Sequence, residues 1–227
     1  MAVIGANGSG KSTLLKAILS FYPVIGEIKF AGKQIKTLSS LNRARIIAYL
    51  SQDTMMSFNL LAKEVIELGI YPYRNVFSKK KKLQAIDEVM HLTEVYQLKN
   101  QEYFSLSGGE KQRVQLARVL LQLNLFDDNQ AKLLLLDEHV NHLDLSHQHS
   151  MLALINRFTK MYNLTVVMVL HDLNLVMRYA DQVAVIDKGE LYNLGKSQDV
   201  IDEKMIKAIY NMKFLHFPEL NQGLIFP

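Results

Sequence analysis

The stretch GANGSGKS, residues 5–12, has the spacing G-x-x-x-x-G-K-[ST], directly after the apolar MAVI and before TLLKAIL. Between a strand and a helix, this spacing surrounds phosphate oxygens. The glycines let backbone N–H groups approach closely, and the helix N-terminus adds partial positive charge. Lys11 is placed to reach the β- and γ-phosphates of a nucleoside triphosphate, and Ser12 to ligate Mg2+. Gly5, Ala6, Asn7, Gly8, Ser9, Gly10, Lys11, Ser12 and Thr13 are the candidate nucleotide-binding residues. The bland alternative is a glycine turn that happens to contain Lys-Ser, and the strand–loop–helix context argues against it.

A second set of oxygens follows LLLL at 133–136, where Asp137 and Glu138 sit side by side. Four apolar residues read as a buried strand that delivers both carboxylates to its carboxyl edge, where α/β proteins bind ligands. Asp137 suits the Mg2+ shell, and Glu138 can accept a proton from an attacking water. The run alone is a weak signal and gains its meaning from the phosphate loop. A third motif, LSGGEKQRVQLARVLL at 106–121, opens a helix with Ser-Gly-Gly and so offers a second anion site on one chain. One chain does not need two γ-phosphate sites; two chains facing head to tail do. The alternative is an ordinary capped helix.

The elements that must position these residues form an α/β pattern. Strand-like segments recur at 1–4, 44–50, 132–137, 165–170 and 182–187 with helices between them, which argues for a mainly parallel sheet covered on both faces. GEIKFAGKQI at 26–35 reads as two short strands, a small antiparallel patch. Strand signal disappears between about 53 and 121. There Ser78 caps a helix with Leu83, Ile86, Val89 and Met90 on one face, and KKKK at 79–82 forms its solvated first turn. With 227 residues and 49% hydrophobic content, the chain suits one domain with a helical insertion. No apolar run is long enough to cross a bilayer. Cysteine is absent, which excludes disulfides and thiolate metal sites, and a formal charge of +4 selects no partner.

The motifs together resemble the ATP-binding cassette (ABC) family, from Gly5 to at least Gly195. LSGGE matches its signature, Gln52 in YLSQD its Q-loop glutamine, NHLD at 141–144 its D-loop, and His171 after VMVL its switch histidine. The resemblance implies a P-loop NTPase fold with ATP and Mg2+ as cofactors. Residues 1–52 and 122–227 are then the ATPase core, and 53–121 a helical subdomain bearing the signature. It implies that Gln52 senses Mg2+ and the transporter contact, and that His171 holds the γ-phosphate and the attacking water. Asp144 helps to couple two sites in a homodimer of cassettes. Ser107 and Gly109, within the set Ser107, Gly108, Gly109 and Glu110, reach the partner's nucleotide.

Residues 170–201, LDLSHQ at 143–148, NLLAKEVIELGIYPY at 59–73 and the ending FPELNQGLIFP resemble the importers of iron chelates, haem and cobalamin. That branch implies two permease subunits in the membrane, an external substrate-binding protein and a peripheral place on the cytoplasmic face. Haem or an iron chelate is favoured over cobalamin. The rival class is a soluble, translation-associated ABC protein, which shares NHLD but fuses two cassettes through a charged linker. No nucleic-acid partner is expected.

Two departures stand out. The family usually follows the catalytic glutamate with Pro-Thr, whereas His139 and Val140 stand here, which frees the backbone and puts the D-loop geometry in question. His139, His142, His147 and His149 read as surface and interface histidines rather than a metal site, because i,i+2 side chains on a helix diverge. Family members also carry further strands and an adenine-stacking aromatic residue before the loop, where only MAVI stands here. The resemblance therefore implies missing N-terminal strands, and tighter ATP binding by an upstream-extended chain.

Overall fold

The computed structural model describes residues 1–51, 58–124, 130–141, 143–217 and 222–226, with backbone alone described from residue 213 onward. Strand β1 (Ala2–Ile4) runs into helix α1 (Lys11–Ile18), and β2 (Lys29–Phe30) pairs with β3 (Lys33–Gln34) as the antiparallel patch expected from residues 26–35. Helix α2 (Ser40–Ile46) leads into β4 (Ile47–Leu50). A strand was expected over residues 44–50, and only its second half is one. Ser39 accepts the Asn42 N–H at 3.3 Å and starts a helix that consumes residues 40–46.

Helical structure then dominates, in α3 (Ala62–Glu67), α4 (Lys79–Leu92) and α5 (Gly108–Leu123). Only an isolated bridge between Leu61 and Glu102 interrupts it among the described residues. Ser78 caps α4 by accepting the Lys81 N–H, as its position requires. Ile86, Val89 and Met90 are buried on the face expected, but Leu83 is exposed, and Ala85 occupies the core-facing position instead. The turn Leu68–Tyr73 lies directly on α5: a Cβ on Gly69 would stand 2.1 Å from the Arg118 carbonyl oxygen.

Beyond α5 come β5 (Lys132–Leu136), α6 (Leu145–Met161), β6 (Leu164–Val169), α7 (Leu173–Tyr179) and β7 (Gln182–Asp187). The chain continues through β8 (Glu190–Lys196), the short α8 (Ser197–Val200), α9 (Glu203–Tyr210) and the hairpin β9 (Lys213–Phe217) and β10 (Gln222–Phe226). Neither β8 nor the hairpin was expected. The main sheet has the order β4-β5-β6-β1-β7-β8, parallel throughout except for the β7–β8 pair.

Period-two alternation assigns each sheet residue a face. Leu133 and Leu135 join Val3, Leu15, Ile46 and Ile47 under α1 and α2, while Leu134 and Leu136 join the larger cluster with α3 to α7. Burial on both faces is why β5 reads as an unbroken leucine run. Among the described residues no helix is long and apolar enough to cross a membrane.

Candidate functional site

The sheet order brings the ends of β4, β5, β6 and β1 side by side, and these ends carry Tyr49, Asp137 with Glu138, His171 and Gly5. Gly5 turns the chain out of β1 at φ 147°, where a Cβ would lie 2.0 Å from the Ile186 carbonyl oxygen, so no side chain fits. Gly10 starts α1 in the left-handed region and supplies no side-chain cap, which leaves the first N–H groups of the helix facing the loop. Asn7, Gly8 and Thr13 are exposed along the same loop and helix start.

Lys11 is buried, and its Nζ donates to the carbonyls of Gly5 (3.0 Å) and Ala6 (2.9 Å). Burial holds its pKa below the ordinary lysine value, against the opposing charges of Glu138 and Asp137. Ser12 Oγ donates to Asp137 Oδ1 at 2.8 Å, and the buried Asp137 is further fixed by its own N–H to the Leu50 carbonyl. A hydroxyl and a carboxylate converging in this way are hard oxygen donors that fit Mg2+.

Glu138 has a φ of 54°. That left-handed conformation is strained for a side-chain-bearing residue. Its Oε1 lies 2.8 Å from His171 Nε2, and its Oε2 accepts from Asn141 Nδ2 at 3.2 Å. Burial pushes this carboxyl up, but the His171 and Asn141 hydrogen bonds, with Lys11 nearby, outweigh it and hold it below the usual range. A charged acceptor beside the phosphate loop, oriented by a histidine from the next strand, can take a proton from a bound water.

The signature residues are not joined to this cluster. Among the described residues no hydrogen bond links residues 106–110 to the phosphate loop of the same chain. Ser107 caps α5 reciprocally with Glu110: its N–H and Oγ both donate to Glu110 Oε2 (2.9 and 2.7 Å), and its Oγ accepts the Glu110 N–H. Gly108 faces open space, and a Cβ on Gly109 would meet the His147 ring at 2.8 Å. Asp144 caps α6 and pairs with His147 Nδ1 at 2.6 Å. Gln52 and His142 lie outside the described residues.

His139 is buried, not a surface histidine as expected. Its ring hydrogen-bonds the Gln112 backbone in α5, its Nε2 has no partner, and burial pushes its pKa down to about 4. His147 and His149 have separate partners, Asp144 and the Tyr179 hydroxyl. Sequence reasoning missed two tyrosines: Tyr49 donates to Asp137 Oδ2 at 2.9 Å, and Tyr210 accepts the Gly5 N–H at 3.0 Å. The alternation along β4 was a signal for the first; nothing local marks the second.

A phosphate loop ending a central parallel strand, beside an Asp-Glu pair and a histidine, defines an ATP-binding cassette. Residues 1–141 match the family described as ABC transporter. The chain belongs to that family; it binds ATP and is an ATPase. It is 37% identical over 229 residues to the hemin import ATP-binding protein HmuV of Vibrio vulnificus, covering 100% of this chain and 86% of the relative. The protein of the same name from Shewanella denitrificans is 39% identical over 227 residues, covering 99% and 88%. Among solved structures, cbiO1 of Clostridium perfringens, part of the ABC transporter complex cbiONQ, superposes with a TM-score of 0.77 at 25% identity, covering 97% and 84%. An ABC transporter in an inward-facing conformation superposes with a TM-score of 0.78 at 22% identity, covering 99% and 83%.

Proposed function

We propose that this chain energises import of haem or an iron chelate by hydrolysing ATP beneath a membrane permease. The observation that carries the chemistry is the Glu138–His171 pair at 2.8 Å beside Lys11, Ser12 and Asp137. Glu138 acts as general base, and His171 orients it and the attacking water. Lys11 and the loop N–H groups bind the β- and γ-phosphates. Ser12 and Asp137, with Gln52, would hold Mg2+, which supplies charge neutralisation to the phosphate oxygens when bound. Residues 1–52 and 122–227 form the ATPase core, and residues 53–121 the helical subdomain.

Two copies face head to tail, so that Ser107 to Glu110 of each reach the nucleotide of the other and Asp144 couples the two sites. The pair drives two permease subunits from the cytoplasmic face, fed by an external binding protein. Near-full-length identity to the hemin import proteins supports this cargo. The test is ATP-dependent uptake by the complex reconstituted with the permease and binding protein encoded beside it, offered haem, ferric chelates and cobalamin in parallel. Uptake of haem or a ferric chelate is expected. Uptake of cobalamin alone, or ATPase activity stimulated by ribosomes and not by the permease, would overturn the reading.

A further inference from the structure

We propose that Tyr49 is a positioning residue of the metal site, its hydroxyl locking the Asp137 carboxylate in the orientation that presents Oδ1 alongside Ser12. The proposal rests on the reading that Ser12 and Asp137 hold the divalent cation. Its basis is register. Tyr49 on β4 is the partner of Leu135 on β5, and alternation puts Leu135 and Asp137 on the same face of the sheet, the face covered by α1. Ser12 belongs to α1, so the three side chains converge from three elements. Ser12 Oγ donates to Oδ1 at 2.8 Å and Tyr49 Oη to Oδ2 at 2.9 Å.

With each carboxylate oxygen tied to a different donor, the Asp137 side chain cannot rotate without breaking both bonds. The tyrosine ring is held in turn. Phe21 meets it edge-on at 6.5 Å and 87°, and the Phe21 N–H is bonded to the Lys16 carbonyl at the end of α1.

Outer hydrogen bonds of this kind typically contribute about 10–100-fold in metal affinity. Tyr49→Phe keeps the ring and its Phe21 contact and removes only the donor. The experiment titrates Mn2+ by electron paramagnetic resonance into the full chain saturated with a non-hydrolysable ATP analogue. Binding of the analogue in EDTA is measured beside it, with Asp137→Asn as the comparison.

The expected result is Mn2+ affinity about tenfold weaker in Tyr49→Phe, with metal-free nucleotide binding unchanged. If Asp137→Asn weakens Mn2+ binding and Tyr49→Phe does not, the positioning role is wrong while the metal site stands. Equal losses of Mn2+ and metal-free nucleotide binding in Tyr49→Phe would also overturn it, because the ring would then support the whole loop. Unchanged Mn2+ binding in Asp137→Asn would remove the metal site itself and the proposal with it.

Discussion

Tyr210→Phe isolates a single long-range hydrogen bond. Tyr210 ends α9, and its hydroxyl accepts the Gly5 N–H at 3.0 Å from 205 residues away in sequence. Burial raises the phenol to about 12, so it stays neutral, and the ring packs against the larger core cluster. Phenylalanine preserves that packing and strands one N–H on a buried glycine. An unsatisfied buried donor costs about 1–3 kcal/mol. For a chain of this size, each kcal/mol corresponds to about 2–4 °C in melting temperature, so a fall of about 2–12 °C is expected. Because Gly5 also accepts Lys11 Nζ through its carbonyl, the loosened residue lies within the phosphate loop. ATP binding should weaken as well, by up to about tenfold if 1.4 kcal/mol of the loss falls on the bound state.

Far-UV circular dichroism suits the unfolding measurement, since the chain has no tryptophan. Equilibrium dialysis with a labelled analogue gives the affinity. A midpoint within about 0.5 kcal/mol of wild type, the range of neutral surface changes, together with unchanged affinity, would refute the argument. It would mean that the Gly5 N–H finds another acceptor at no cost.

Three further outcomes follow from the site. Glu138→Gln keeps size and hydrogen bonding but removes the proton acceptor, so single-turnover hydrolysis should fall by about 10²–10⁴ while ATP still binds; turnover within about threefold of wild type excludes the base role. A mixed dimer of Ser107→Arg and Lys11→Ala chains should retain hydrolysis while both mutant homodimers are dead, because one composite site collects both lesions; an inactive mixed dimer, where one intact site suffices, argues for action within a chain. His139, buried at a pKa of about 4, binds its proton more readily when unfolded, so its contribution to stability is complete above about pH 6.5 and is lost as pH falls toward 4. Between pH 7 and 5 this amounts to about 2 kcal/mol, and urea midpoints of His139→Phe should lack that component; parallel pH curves for wild type and variant would contradict it.

The chemistry-bearing side chains were legible because each is declared by its own neighbours. GANGSGKS needs only its flanking strand and helix, and a leucine run buried on both faces announces the strand that ends at Asp137. Elements without such a local contrast were not legible. In β8 nearly every residue is exposed, Leu191, Tyr192 and Leu194 included, so no alternation marks it. At residues 44–50 the apolar pair Ile46–Ile47 spans the junction of α2 and β4, and only the Ser39 cap separates helix from strand.

The supports of the site were hidden for a related reason: Tyr49 and Tyr210 are two tyrosines among ten, and their partners lie on other elements. What they reveal is how the proposed site is held. Lys11 is bonded to the Gly5 and Ala6 carbonyls, Ser12 to Asp137, His171 to Glu138 and Ser107 to Glu110. Each of these side chains therefore already has a partner in its own chain. Phosphate binding at Lys11 or Ser107 is then an exchange of hydrogen bonds rather than an addition of them. Its net gain per bond is modest, as for any hydrogen bond formed at the expense of another. The orientation of each donor is set beforehand by the fold, which is where tyrosines remote in sequence bear on nucleotide affinity.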